Sequence, residues 1–166
     1  WRGRSLIDML IAKYHRVCPV LFGIYGKETT NGGRRRLGWK QEDGDWVSEQ
    51  THSDRMSNLA TGFAAISLRN FSKSRNENPF PAYHYWRSFS MIVNTPPDQV
   101  TNTHMVVLSN MIQKYTDKFI QFYGQAAKAA LKKALVDLPQ HVPQGFGKTA
   151  LEALRETLKK DLKLSL

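Results

Sequence analysis

Apolar residues in this chain recur at every third or fourth position, and prolines and glycines cut that rhythm into separate lengths. A stack of amphipathic helices satisfies both features. Met56, Leu59, Ala60, Phe63 and Ala64, continued by Ile66 or Ser67, trace one such stripe, which ends near Arg69 before the polar stretch Asn70 to Asn78. Pro79 and Pro81 lead into an aromatic helix, Tyr83 to Val93, and Asn94-Thr-Pro-Pro97 breaks the chain again. From Thr101 to Leu138 the pattern is helical almost throughout, as two helices bent near Lys114 or Gly124. Ala126, Ala127, Ala129, Ala130 and Ala134 reinforce it. Pro139 to Gly147 reads as a loop, and Thr149 as the cap of a last helix carrying Leu151, Leu154, Leu158 and Leu162. At the start, Ser5-Leu-Ile-Asp8 reads as a capping box for a helix that Cys18-Pro19 stops. Residues 19–50, rich in glycine, read as loop, and nothing in the chain makes a convincing strand. The expected fold is an all-α antiparallel helix array, of the helical-solenoid kind. Its expected core includes Leu10, Met56, Phe63, Ile66, Trp86, Phe89, Ile92, Val107, Leu108, Phe119, Leu131 and Leu135.

The 166 residues make one domain or part of a larger one. The opening Trp1-Arg2-Gly3 reads as the remainder of a longer polypeptide. Hydrophobic residues at 41% and charged residues at 23% exclude wholesale disorder. No run of eighteen apolar residues is present, so no membrane span is expected. A single cysteine, Cys18, excludes an internal disulfide and a Cys-based zinc site, and it fits a reducing compartment.

Charge is unevenly placed. Residues 1–40 hold nine Lys/Arg against two acids, whereas residues 41–166 hold fifteen against twelve, within a net charge of +10. Such a field draws something anionic to one end: nucleic acid, an acidic protein or a phosphorylated small molecule. Lys13 and Arg16, three residues apart, share a helix face near its C-terminal end, where they can converge on one multivalent anion or simply complement the helix dipole. Arg34, Arg35 and Arg36 lie in the glycine-rich loop, either as a phosphate clamp or as a solvated surface.

Signals of catalysis fail on inspection. Gly145-Phe-Gly-Lys-Thr149 imitates the end of a phosphate-binding P-loop, but Val142 stands where the first glycine is required, and the approach through Pro139 and Pro143 cannot be a central strand. His15, His52, His84, His104 and His141 show no zinc-ligand spacing. Cys18 has no evident base, and no Gly-x-Ser-x-Gly turn occurs.

Several separated strings occur in a telling order: Lys13-Tyr-His-Arg-Val-Cys-Pro19, Leu37-Gly-Trp39, Asp54-Arg55-Met56-Ser57, Ala65-Ile-Ser-Leu-Arg69, His84-Tyr-Trp-Arg87, Ile92-Val-Asn94-Thr-Pro96 and Thr101-Asn-Thr-His104. Together they resemble the later half of the C-terminal domain of the Gle-one family of nuclear-pore mRNA-export mediators, in a fungal form. The resemblance covers nearly the whole chain. It implies an all-helical, HEAT- or MIF4G-like domain, with residues 1–166 the C-terminal half of a larger helical-repeat domain and no catalysis of its own. It further implies binding of inositol hexakisphosphate and of a DEAD-box RNA helicase, whose ATPase cycle is stimulated at the cytoplasmic face of the nuclear pore. A phenylalanine-glycine nucleoporin is the other implied partner, and no direct sequence-specific nucleic-acid binding is expected. Lys13 and Arg16 match the family's basic positions for inositol phosphate; Arg34, Arg35 and Arg36 are a secondary anion cluster. Val17 stands where the family usually has a second adjacent base, and further basic ligands of the phosphate would lie in the earlier half of the domain. The competing reading is a basic helical module that binds nucleic acid directly.

Overall fold

A computed structural model describes residues 2–71, 73–142 and 144–163, with only the backbone described for Arg2, Gly3, Arg4, Phe146 and Leu162. Seven α-helices are present among these residues: α1 (Arg2–Val17), α2 (Asn31–Arg36), α3 (Glu49–Ser67), α4 (Tyr83–Val93), α5 (Asn102–Ile112), α6 (Thr116–Lys132) and α7 (Phe146–Leu162). The periodicity thus gives the all-α array it predicts. α5 lies at the centre, packed on α3 and on α7.

The first helix starts earlier than the capping-box reading places it. α1 is already helical at Arg2, so Ser5 sits inside the helix rather than capping it. It ends as expected, with the Cys18 N–H donating to the Tyr14 carbonyl at 2.8 Å and Pro19 unable to continue. Tyr14 ties α1 to α3: its ring meets Phe63 edge-on at 5.4 Å, and its hydroxyl donates to the Leu59 carbonyl at 3.2 Å. Leu6 and Met9 on the same helix are 65% and 66% exposed.

Residues 19–50 are more ordered than a loop. Pro19–Phe22 forms a 3-10 turn, α2 follows, and a small hairpin joins β1 (Gln41–Glu42) to β2 (Asp45–Trp46). Gln41 pairs with Trp46 and Glu42 with Asp45. Both turn residues have positive φ, 50° at Asp43 and 85° at Gly44, which is what a two-residue hairpin turn requires of an Asp-Gly pair. The acidic run therefore encodes a strand pair that the sequence reading lacks.

Two inward positions move by one residue. On α3, Ser67 rather than Ile66 is fully buried, its hydroxyl donating to the Phe63 carbonyl at 2.7 Å; Ile66 is half-buried. On α4, Tyr85 rather than Trp86 enters the core and donates its hydroxyl to the Met111 carbonyl at 2.7 Å. Trp86 lies half-buried against Tyr123, ring centroids 4.7 Å apart. Leu10 is likewise only half-buried. The other nine expected core residues are buried. Phe119 of α6 sits among Tyr85 and Phe89, both at 5.0 Å, and Trp86 and Tyr123, both at 5.8 Å.

The bend expected near Lys114 or Gly124 occurs at both places. α5 ends at Ile112 before α6 begins at Thr116, and α6 is itself broken at Gly124, whose φ of 54° and ψ of −126° are not helical. A π-turn (Lys133–Asp137) and a 3-10 turn (Leu138–His141) lead on toward α7. The last helix starts at Phe146 with Gly145 before it. Thr149 therefore lies one turn inside, its hydroxyl donating to the Gly145 carbonyl at 3.1 Å, and is not the cap.

Phe119→Ala is expected to remove about 3–5 kcal/mol of stability, because four rings would border the void. Tyr85→Phe, which strands one buried carbonyl, is expected to cost about 1–3 kcal/mol. Urea unfolding followed by circular dichroism checks both.

Candidate functional site

Lys13 and Arg16 are exposed on the last turns of α1, as their spacing predicts. The triple arginine is not in a loop. Thr30 caps α2 by accepting from the Gly33 N–H at 2.9 Å, and Arg34, Arg35 and Arg36 form the helix's C-terminal turn. Arg34 is also not a free clamp. Its Nε donates to the Glu28 carbonyl at 2.8 Å, and its guanidinium lies over Trp39 at 4.7 Å and Trp46 at 5.8 Å. Arg35 and Arg36 remain exposed.

The two basic runs meet in space. Gly38, just past α2, adopts φ 86°, and a Cβ there would lie 2.7 Å from the Val17 carbonyl oxygen at the end of α1. The Arg55 guanidinium, reaching from α3, donates through Nη2 to that Val17 carbonyl at 3.4 Å and also to the Gly38 carbonyl. A cation thus satisfies carbonyls at the ends of two helices and clasps them together. α3 starts at Glu49 with Ser48 as its cap, so Arg55 lies inside the helix and reaches across to this clasp. Lys13 and Arg16 on one helix end, and Arg35 and Arg36 on the other, make one cationic corner. None of the four forms an ion pair; between described residues the one ion pair is Lys159–Glu156 at 3.9 Å.

A single carboxylate anchors this corner to the core. Glu28 accepts from Trp39 Nε1 at 3.0 Å, from the Thr103 N–H at 3.0 Å and from the Thr103 hydroxyl at 3.2 Å. It therefore satisfies an orphan amide in the first turn of α5 while fixing the Trp39 indole. The Thr103 hydroxyl spends its proton on Glu28, so it must accept from His52 Nε2, 2.9 Å away. Trp39 stacks on the same imidazole at 4.0 Å and 13°. His52 Nδ1 is then an acceptor without a partner in a buried position. Burial first, and then the charges of Arg55 and Arg34, push the His52 pKa down to about 4. His104 is similar: its Nδ1 accepts from the Thr101 N–H at 3.2 Å, and burial lowers its pKa to about 4. Glu28 escaped the sequence reading, although one signal was present: it is the sole carboxylate between Asp8 and Glu42.

The P-loop imitation has a packing explanation. A Cβ at Gly145 would come within 2.9 Å of Asn102 Oδ1, and one at Gly147 within 2.8 Å of the Met105 Cβ. Both glycines let the start of α7 close on α5. Among the described residues no group of His, Cys, Asp and Glu could hold a metal ion, and no helix is long and apolar enough to cross a membrane.

The fold and this corner define an α-helical array protein that presents exposed cations where the ends of two helices meet. The model of the GLE1-like protein family matches residues 2–135, so the chain belongs to that family. Over its whole length it is 54% identical to the mRNA export factor GLE1 of Chaetomium thermophilum, covering 32% of that protein. It is 28% identical to the mRNA export factor GLE1 of Saccharomyces cerevisiae over 131 residues, 76% of this chain and 24% of that one. The chain therefore spans about a third or less of these curated relatives. Among solved structures it is similar to a chain in a complex of a variant S. cerevisiae Dbp5 C-terminal domain bound to Gle1 and IP6, with TM-score 0.81 and 26% identity. That match covers 95% of this chain and 55% of the other. A second complex of the same components, with a variant Gle1, gives TM-score 0.82 and 26% identity over 91% and 53%.

Both buried imidazoles have an ordinary pKa of 6.5 and a folded value near 4, so the unfolded chain binds more protons between those values. Stability is complete above about pH 6.5 and falls as the pH drops toward 4, by about 2 kcal/mol for each imidazole at pH 5. Guanidinium unfolding at pH 7 and pH 5 tests this; an unchanged midpoint refutes it.

Proposed function

We propose that this chain is the later half of the C-terminal domain of an mRNA export factor, and that its cationic corner binds inositol hexakisphosphate. The observation that carries this reading is the contact, clasped by Arg55, between the end of α1, which bears exposed Lys13 and Arg16, and the end of α2, which bears exposed Arg35 and Arg36. Inositol hexakisphosphate is a dense polyanion, and no single helix face offers enough cations to hold it. Two converging helix ends do so with guanidinium and ammonium groups that no carboxylate neutralises. Arg34 acts indirectly, holding Trp39 and the Glu28 segment in place. Val17, where a second adjacent base is usual, is compensated by the α2 arginines.

The solved relatives bound to IP6 and Dbp5 support extending this to a DEAD-box helicase partner. In this proposal the phosphates left over at the corner face a basic surface of the helicase, so the ligand tethers the two proteins. The tether lets this domain stimulate the helicase's ATPase cycle without contributing a catalytic group. The proposed setting is the cytoplasmic face of the nuclear pore and the adjoining cytoplasm, with a phenylalanine-glycine nucleoporin as a further partner. Exposed Leu6 and Met9 mark the side of α1 on which the earlier half of the domain would pack, since a stacked helical array covers apolar surface with its neighbours.

In the full-length protein, inositol hexakisphosphate at a hundredfold excess over its Kd is expected to raise stability by about 2.7 kcal/mol. Lys13→Gln with Arg16→Gln should weaken its binding at least tenfold in isothermal titration calorimetry, since each cation's bonds to phosphate are worth about 1.5–3 kcal/mol. Arg35→Gln with Arg36→Gln should weaken it as well. Normal binding by both double variants would place the anion elsewhere.

A further inference from the structure

A second charged surface lies outside the α1–α2 corner, and it is aromatic as well as basic. Between the end of α3 and the start of α4, residues that include Arg69, Phe71, Arg75 and Asn78 border a groove of about 380 Å³ whose other wall is Phe122 of α6. The groove is preorganised. Asn78 Nδ2 donates to the carbonyls of Ile66 at 3.2 Å, Ser67 at 3.4 Å and Arg69 at 3.4 Å, so it fastens the loop to the end of α3. The Asn78 side-chain oxygen accepts from the Phe80 N–H at 2.9 Å, and the Ser74 N–H donates to the Phe71 carbonyl at 2.9 Å.

Its chemistry is that of a nucleobase site. Phe122 is 44% exposed, and Tyr83, next in sequence to the groove-lining Ala82, is 58% exposed; these rings are outside the core that absorbs most of the chain's aromatics. Phe71 carries the Arg69 guanidinium over its face at 5.1 Å. Arg75 is a second exposed cation on the rim, and among the described residues neither arginine forms an ion pair. Glu77 is the one acid that lines the groove. The exposed Phe122 ring beside the Arg69 and Arg75 guanidiniums makes a stacking platform with a backbone-phosphate track, and a sequence-tolerant one, because every base offers a π-face. We infer that this groove binds single-stranded RNA, with a base against Phe122 and phosphates on Arg69 and Arg75. An acidic peptide would use the guanidiniums and leave the rings in water; an apolar peptide would do the reverse.

Fluorescence anisotropy of a labelled twelve-nucleotide oligouridine, titrated with the full-length protein, tests the assignment. Phe122→Ala and Arg75→Gln are each expected to raise Kd fivefold or more, while Lys13→Gln with Arg16→Gln leaves it within twofold. Logarithmic affinity should fall against the logarithm of salt with a slope near −1.4, as for about two phosphate contacts on a single strand. Thermal melts establish that the variants stay folded, as an exposed ring allows; where Phe122→Ala melts early, Phe122→Ser and Arg69→Gln carry the comparison. Three outcomes would each overturn the inference: affinity unmoved by the groove variants, affinity lost with the α1 variant instead, or displacement of the oligouridine by polyglutamate or by a phenylalanine-rich peptide at equal concentration.

Discussion

A helix with almost no solvent-facing side has to satisfy its end groups inside the protein, and α5 imposes that requirement on everything around it. From Thr103 to Ile112 every residue but Asn110 is buried. Even Asn110 is engaged, its amide donating to Ser57 on α3 at 3.1 Å and to the Val106 carbonyl at 2.8 Å. With water excluded, the amides of the first turn need internal acceptors. Thr101 and His104 supply a reciprocal capping pair, and Glu28 supplies a carboxylate to Thr103. The surrounding helices can then close on α5 as apolar surfaces.

Two charged groups, Glu28 and Arg55, are aimed at backbone rather than at each other. The carboxylate meets an amide at the start of α5, and the guanidinium meets carbonyls at the ends of α1 and α2. Each is placed where the helix dipole favours its sign. Between them they convert a segment that would otherwise be flexible into a fixed base for four exposed cations. Arg34 reinforces it by stacking on the indole that Glu28 holds. The corner therefore presents its charge from helix ends, and little conformational freedom remains to be lost when an anion binds.

The long helices were legible because their apolar stripes have one period and their ends have prolines or glycines. Lys13 and Arg16 were legible as an exposed pair for the same reason. What periodicity could not resolve was phase within a helix that has aromatic residues almost everywhere: in α4, Tyr85 and Trp86 offer the core similar area, and the buried acceptor at Met111 selects the tyrosine. Nor could it show long-range polar bonds. Nothing in the periodic pattern marks Glu28 or Arg55, and only the folded chain puts backbone partners in front of them. Glycine was ambiguous in a further way. At Gly33 a Cβ would overlap the Lys27 carbonyl, and the run that reads as a glycine-rich loop is in fact a closely packed helix start. The hairpin was written in Asp43-Gly44, but strands of two residues carry no alternation to read.

The Glu28–Thr103 link also sets an order of events. It spans 75 residues, and the neighbouring contact of Asn102 with Gly145 joins the same turn of α5 to the start of α7. As these residues are synthesised, the basic stretch of α1 and α2 emerges before α5, with the carboxylate that organises it still lacking a partner. The corner can assemble only after α5 has been synthesised, and α5 can bury its far side only after α7 follows. Through translation of the intervening residues, the nascent chain carries a concentrated positive charge that has no fixed shape.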